Sequence, residues 1–197
     1  SGERLDADEC AGLYDLDLFT LGKFANAKRR KLHGKKVFFN VNRHINPTNV
    51  CADVCKFCAF SANRKNPNPY TMSHEEILKI VEKSVAGGAK EIHIVSAHNP
   101  DTSWQWYLEI FKKIKEKYPQ IHVKALTAAE VDFLSRKHGL SYEEVVEKML
   151  EYGIDSMPGG GAEIFDEAVR RKICKGKVSS ENWLKIHRLW HEKGKQS

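Results

Sequence analysis

The chain has no run of apolar residues approaching the roughly 18 that a membrane-spanning helix needs. Its first residues, Ser1-Gly2-Glu3-Arg4, offer neither an initiating Met nor the apolar core of a secretion signal. It also lacks the even, dispersed cysteine set of a disulfide-stapled secreted domain. There are five cysteines, and three fall between positions 51 and 58. The expected compartment is therefore the cytosol, where thiols stay reduced and can ligate metal. A strong charge of one sign is missing too: 32 basic residues against 26 acidic give a net charge of +6. The densest basic run, Lys28-Arg29-Arg30-Lys31 with Lys35-Lys36, has no interleaved aromatics. It reads as a solvated helix end, with no nucleic acid and no membrane expected as partners. The modest basic excess remains compatible with a small anionic substrate.

The 197 residues are 41% hydrophobic and 29% charged, the balance of one globular, core-bearing domain. Residues 3–35 read as a polar helical segment with an apolar stripe at Leu13, Leu16, Leu18, Leu21 and Phe24, ended by Gly34. Residues 1–36 are accordingly set apart as an N-terminal helical extension from 37–197. Val37 to Asn42 reads as a first strand, followed by a long loop through Tyr70 that Pro67 and Pro69 keep irregular. Ser73-His74-Glu75-Glu76 is a capping box opening a helix that closes at Gly87-Gly88. Glu91–Val95 reads as a second strand, Trp104–Tyr118 as a helix and Ile121–Ala125 as a third strand. Ser141-Tyr142-Glu143-Glu144 caps a helix to Tyr152, and Ile154–Met157 reads as a fourth strand. Pro158-Gly159-Gly160-Gly161 and helices near 163–172 and 180–193 complete the chain.

Strands alternating with helices at this spacing predict right-handed βα units on a parallel sheet. No G-x-G-x-x-G follows the first strand, which argues against a dinucleotide fold. A TIM-type (βα) barrel fits better, with working residues on the loops after each strand. Those loops hold the cysteines, Ser96-Ala97-His98-Asn99-Pro100, Thr127-Ala128-Ala129-Glu130, and Pro158 to Glu163. Four strands do not close a barrel, so about four βα units forming the N-terminal part of a longer enzyme are expected, inactive without the remaining wall.

Cys51-Ala-Asp-Val-Cys55-Lys-Phe-Cys58 gathers three thiolate ligands on one loop. Such soft donors select zinc, copper(I) or iron–sulfur centres. Structural zinc wants a fourth ligand and usually two separated pairs, whereas Cys10 and Cys174 are isolated. Ferredoxin clusters use four cysteines at other spacings. Three thiolates on a four-iron cube leave one iron without a protein ligand, and that iron is free to bind a reactant.

This C-x-x-x-C-x-aromatic-C motif, with Phe57 as the aromatic, resembles that of the radical S-adenosylmethionine (radical SAM) superfamily. The resemblance implies a three-cysteine 4Fe–4S cluster, SAM as the second cofactor, and an electron donor such as flavodoxin or ferredoxin. Asn42-Arg43-His44-Ile45-Asn46-Pro47-Thr48-Asn49 and Cys58-Ala59-Phe60-Ser61 are similar to the futalosine-pathway and deazaflavin-synthase branch. Glu91–Val95, His98-Asn99-Pro100, Lys124–Glu130, Pro158–Phe165, Val169-Arg170 and Trp183–Arg188 look most like the aminofutalosine synthase family of menaquinone biosynthesis. That resemblance implies transfer of the 5′-deoxyadenosyl group of SAM to an aryl enolpyruvyl ether, 3-[(1-carboxyvinyl)oxy]benzoate. The sister family, dehypoxanthine futalosine cyclase, and a zinc-binding interaction module are the competing readings.

The cofactor-binding candidates are Phe57 in the motif, Ser96 and Ala97 where related proteins often carry Gly-Gly, and Glu130, Gly160 and Glu163 after the third and fourth strands. Carboxylates suit SAM's amino group or ribose hydroxyls, although an acid in a helix's first turn serves the macrodipole equally well. His44, Lys124 and Arg170 are candidates for the substrate's two carboxylates. His187 and His191, four apart on a helix, are expected to be surface residues, Trp104 and Trp106 to pack, and Cys10 and Cys174 to be free thiols.

Overall fold

A computed structural model describes residues 3–62 and 67–197; Ser1, Gly2 and four residues of the cysteine-bearing loop, 63–66, lie outside it. Contacts divide the chain into two units, meeting between Phe39 and Asn40.

The N-terminal unit is a pair of helices rather than the single helical stretch the sequence suggests. α1 (Ala7–Gly12) opens on a capping box between Asp6 and Glu9, a 3₁₀ turn covers Leu13–Asp15, and α2 runs Leu18–His33. The break arises because Leu16 is extended and the Asp17 carboxylate accepts the N–H groups of Phe19 and Thr20, restarting the helix. Val37-Phe38-Phe39 does not become a strand. Phe38 instead sets its ring against the edge of His33, with centroids 5.4 Å apart.

In the second unit, β1 (Asn42–Ile45), β3 (Glu91–Ile94) and β4 (His122–Ala125) form a parallel sheet in the order β1-β3-β4. α3 (His74–Ala86) and α4 (Trp104–Lys117) supply the crossovers. Each starts at the serine the sequence offers: Ser73 in a full capping box and Ser103 accepting from Trp106 N–H. The sheet has two unlike faces. Ile45, Ile92, Ile94, Val123 and Ala125 are buried and join Ile77, Val81, Ile110, Phe111 and Ile114 in one core. The opposite face carries Asn42, His44, Glu91, His93, His122 and Lys124, the alternate positions of the same strands.

Two readings of the sequence need correction. The expected fourth strand, Ile154–Met157, is reduced to isolated parallel bridges from Ser156 to Lys124 and to Gln196. Main-chain bonds still run from Asp155 N–H to Val123 O and from Ala125 N–H to Ser156 O, but the Asp155 carboxylate takes Val123 N–H at 2.8 Å and the Lys115 ammonium at 2.7 Å, so the ladder goes no further. The segment after β4 is a helix where a loop was expected. α5 (Ala128–His138) starts on a capping box between Thr127 and Glu130, and its first two turns are buried. It packs on α6 (Tyr142–Glu151) and α8 (Ser180–Glu192). α7 (Glu167–Ile173) begins at Asp166, later than its sequence suggests. A two-residue antiparallel pair, β2 (Val54–Cys55) with β5 (Cys174–Lys175), joins the cysteine loop to the segment after α7.

Candidate active site

The cysteine loop is held at both ends by buried polar side chains. Thr48 Oγ1 donates to Tyr70 O, and the Asn49 amide takes Tyr70 N–H while donating to Asn68 O. Asn99, on the loop after β3, reaches both Thr48 Oγ1 and Thr71 Oγ1, at 3.1 and 3.0 Å. Main-chain bonds from Ala52 N–H to His98 O and from Ala97 N–H to Thr48 O tie the two loops together. These bonds satisfy irregular backbone that burial would otherwise leave unpaired.

Cys51, Cys55 and Cys58 all line one cavity of about 190 Å³ at the carboxyl end of the sheet, with Phe57, Ser96 and Ala97 in its wall. Asn46 and Val95, two residues beyond His44 and His93, line it as well, so the polar sheet face leads into the cavity. Burial pushes the Cys51 thiol up, and it pushes Cys55 up to about 11 despite the nearby Lys177 charge. Burial acts on Cys58 too, but the backbone N–H groups of Ser61 and Phe60 outweigh it and bring that thiol below its ordinary value.

This donor set fits an iron–sulfur cluster better than a single ion. Tetrahedral zinc at its usual bond lengths draws its sulfur ligands to within about 4 Å of one another. Among the described residues no group of three or more His, Cys, Asp or Glu side chains is set to hold a single metal ion. A cube binds each thiolate to a different iron and needs them further apart. Of the other two thiols, Cys10 is exposed on α1 in the N-terminal unit, and buried Cys174 donates its thiol to Arg170 O and is no part of the cavity wall.

Residues 45–197 match the family model of the radical SAM superfamily. The chain belongs to the radical SAM superfamily. It is 41% identical over 194 residues to an aminodeoxyfutalosine synthase of Thermus thermophilus, covering 98% of this chain and 52% of that protein. It is 34% identical over 186 residues to a cyclic dehypoxanthine futalosine synthase of Halalkalibacterium halodurans, covering 93% and 50%. The crystal structure of methylornithine synthase (PylB) superposes with a TM-score of 0.74 at 18% identity, over 98% of this chain and 54% of that one, a likeness of fold. The chain thus spans about half the length of these relatives. Membership in the radical SAM superfamily implies a 4Fe–4S cluster and SAM, and the three cysteines are the residues that would hold the cluster.

The other candidates take several positions. Ser96 Oγ accepts from the Tyr107 hydroxyl at 3.1 Å, and the Ser96 N–H donates to Glu130 at 2.8 Å. Glu130 is buried; its carboxylate also receives Thr127 N–H and Thr127 Oγ1–H, so it caps α5 and fastens the Ser96 loop to it. Burial pushes this carboxyl up against those hydrogen bonds. Gly160 lies against Thr127, where an added Cβ would approach Thr127 Cγ2 to 2.8 Å, and its carbonyl accepts the Trp183 indole N–H. Glu163 holds a left-handed backbone at φ 48° and pairs with Lys177 at 2.7 Å.

His44 and Lys124 are brought together. They are the register partners of His93 on either side, forming one row across three strands. The His44 and His93 rings stack at 4.7 Å, and Lys124 lies 3.7 Å from Glu91. Burial, and then the charges of His44 and Lys124, hold His93 below its ordinary value. Arg170 is elsewhere. It is buried, and its guanidinium donates to the carbonyls of Val178, Ala162, Ile164 and Gly161, which makes it the organiser of the loop carrying Glu163. His187 is likewise buried rather than on the surface, its ring 4.0 Å from that of Trp183.

Three cavity residues escaped the sequence reading. Asp53, whose carboxylate comes to 2.8 Å from His98 Nδ1 without hydrogen-bond alignment, sits inside the motif itself. His98, stacked on Phe133 at 4.8 Å, was legible only as part of a longer segment. Lys177 had no local signal at all.

Proposed function

We propose that the chain is the N-terminal, cluster-bearing half of an aminodeoxyfutalosine synthase-type enzyme, transferring the 5′-deoxyadenosyl group of SAM to 3-[(1-carboxyvinyl)oxy]benzoate to give 6-amino-6-deoxyfutalosine. The observation that carries this reading is the polar sheet face. Barrel interiors are ordinarily filled by branched apolar side chains, whereas here His44, His93 and Lys124 stand in one row leading into the cysteine cavity. A substrate with two carboxylates and an aromatic ring suits such a row, through the Lys124 ammonium, imidazole N–H donors and the flat faces of the stacked rings.

Cys51, Cys55 and Cys58 would hold the cluster, leaving one iron for the amino and carboxylate groups of SAM. When bound, the pair supplies one-electron cleavage of the sulfonium bond and with it the adenosyl group for transfer. The residues of this chain position and shield. Ser96 and Ala97, fixed by Glu130 and Thr48, offer backbone to the amino acid end of SAM. Glu163 is available to a ribose or amino group if it exchanges its Lys177 partner. Lys124 and His44 orient the acceptor, and Phe57 and Val95 keep part of the wall dry. A small flavoprotein or ferredoxin would donate the electron, and no described helix is long and apolar enough to cross a membrane.

Anaerobic incubation of the full-length protein with SAM, reductant and the enolpyruvyl ether, read by mass spectrometry, tests this. Adenosine joined to the aryl product is expected, with Lys124→Ala raising KM more than it lowers kcat. Free 5′-deoxyadenosine formed with a dehypoxanthine futalosine substrate, and no adduct, would establish the cyclase instead.

A further inference from the structure

The Lys177 ammonium is the one lysine or arginine group among the described residues lining the cysteine cavity. Its place there is built. Cys55 and Cys174 face each other in the β2–β5 pair, and Lys56 N–H donates to Ile173 O at 2.7 Å. Gly176 then turns the chain at φ +94°, where a Cβ would come to 3.2 Å from Asp53 Oδ1. Lys177 N–H closes that turn on Cys174 O. The side chain, only 16% exposed, carries Nζ to 5.7 Å from the centre of the Phe57 ring and to 2.7 Å from Glu163 Oε1. A lysine so far buried is uncommon without a use for its charge. Asp53 and His98 are the other ionisable neighbours in the wall besides the cysteines.

We propose that Lys177 is a positioning residue for charge, favouring the reduced state of the cluster, with Glu163 as the counterweight that moderates it. This rests on the cluster reading given above. A cube bound by three thiolates is anionic and gains one further negative charge on reduction. A fixed cation in a partly desolvated wall favours the more negative state, and a fixed anion disfavours it. Because the pair is formed by residues 14 apart in the chain, the two effects are separable by substitution.

The test is anaerobic reconstitution of the full-length protein and of K177M, K177R and E163Q. Iron and sulfide are counted per chain, and reduced cluster is quantified by electron paramagnetic resonance at a series of fixed potentials. At a given potential K177M should lower the reduced-to-oxidised ratio by about three- to tenfold, E163Q should raise it, and K177R should keep it near wild type. Equal ratios in wild type and K177M, or shifts of the same sign in K177M and E163Q, would overturn the proposal. Should K177M fail to load, E163Q still decides, since an unchanged or lowered ratio there refutes the assignment. Failure of the wild type itself to bind iron and sulfide would instead sink the cluster reading.

Discussion

Replacing Arg170 by methionine separates a structural from a substrate-binding role. The guanidinium donates at 2.8 Å to Val178 O, 2.5 Å to Ala162 O, 2.9 Å to Ile164 O and 2.6 Å to Gly161 O, and the residue is 2% exposed. Hydrogen bonds from a charged donor contribute about 1.5–3 kcal/mol each in favourable cases. The four do not add in full, because methionine retains most of the packing and water can reach the partly exposed carbonyls of residues 161–164. The fully buried bond to Val178 O has no such substitute. The net cost should be about 3–5 kcal/mol, a large share of the 5–15 kcal/mol that typically holds a domain. With a urea m-value of about 2 kcal/mol/M, the unfolding midpoint should fall by about 1.5–2.5 M. R170K, with one point charge for four carbonyls, should lie between. A loss below about 1 kcal/mol in R170M, accompanied by a raised KM for the enolpyruvyl substrate, would refute the reasoning and return Arg170 to the substrate.

Asp132 is 3% exposed and accepts Tyr142 OH at 2.6 Å and Arg136 Nε–H at 2.9 Å; D132N turns an amide toward the guanidinium and should cost about 2 kcal/mol, seen as a lower thermal midpoint. Burial lowers the affinity of His187 for a proton, and its Nε2 is buried with no partner among the described residues. Its folded value lies below the unfolded one near 6.5, so its contribution to stability is complete above about pH 6.5 and is lost as pH falls through the folded value. H187F should flatten part of that acid limb in urea titrations run from pH 8 to 5. G176A puts a side chain at φ +94° against Asp53, and should cost about 1–2 kcal/mol and lower the iron bound per chain on reconstitution.

Much of this architecture could be read locally. The capping boxes at Ser73 and Ser141 each announce a helix in four residues, and both helices begin there. The same four-residue pattern at Thr127–Glu130 was equally available, yet the place of that segment after a strand argued for a loop. Strand ends were less legible. Val37-Phe38-Phe39 has the composition of a strand, but pairing depends on a partner in register, and β3 meets the chain only from Asn42 onward. Ile154–Met157 failed as a strand through one carboxylate, Asp155, whose choice of Val123 N–H as partner is a fact of three dimensions.

The sequence by itself narrowed the chemistry of the cysteine loop, since three soft donors on one short stretch limit what can bind whatever surrounds them, and it determined the alternation of strands and helices, since those periodicities are local. Only the tertiary structure decided which groups work together. Parallel register set His44, His93 and Lys124 side by side, burial turned Arg170 and Glu130 to holding loops, and a two-residue strand pair carried Lys177 to the cysteines. The reason is that pairing between distant segments is fixed by the packing of the whole core, which no short stretch of residues encodes.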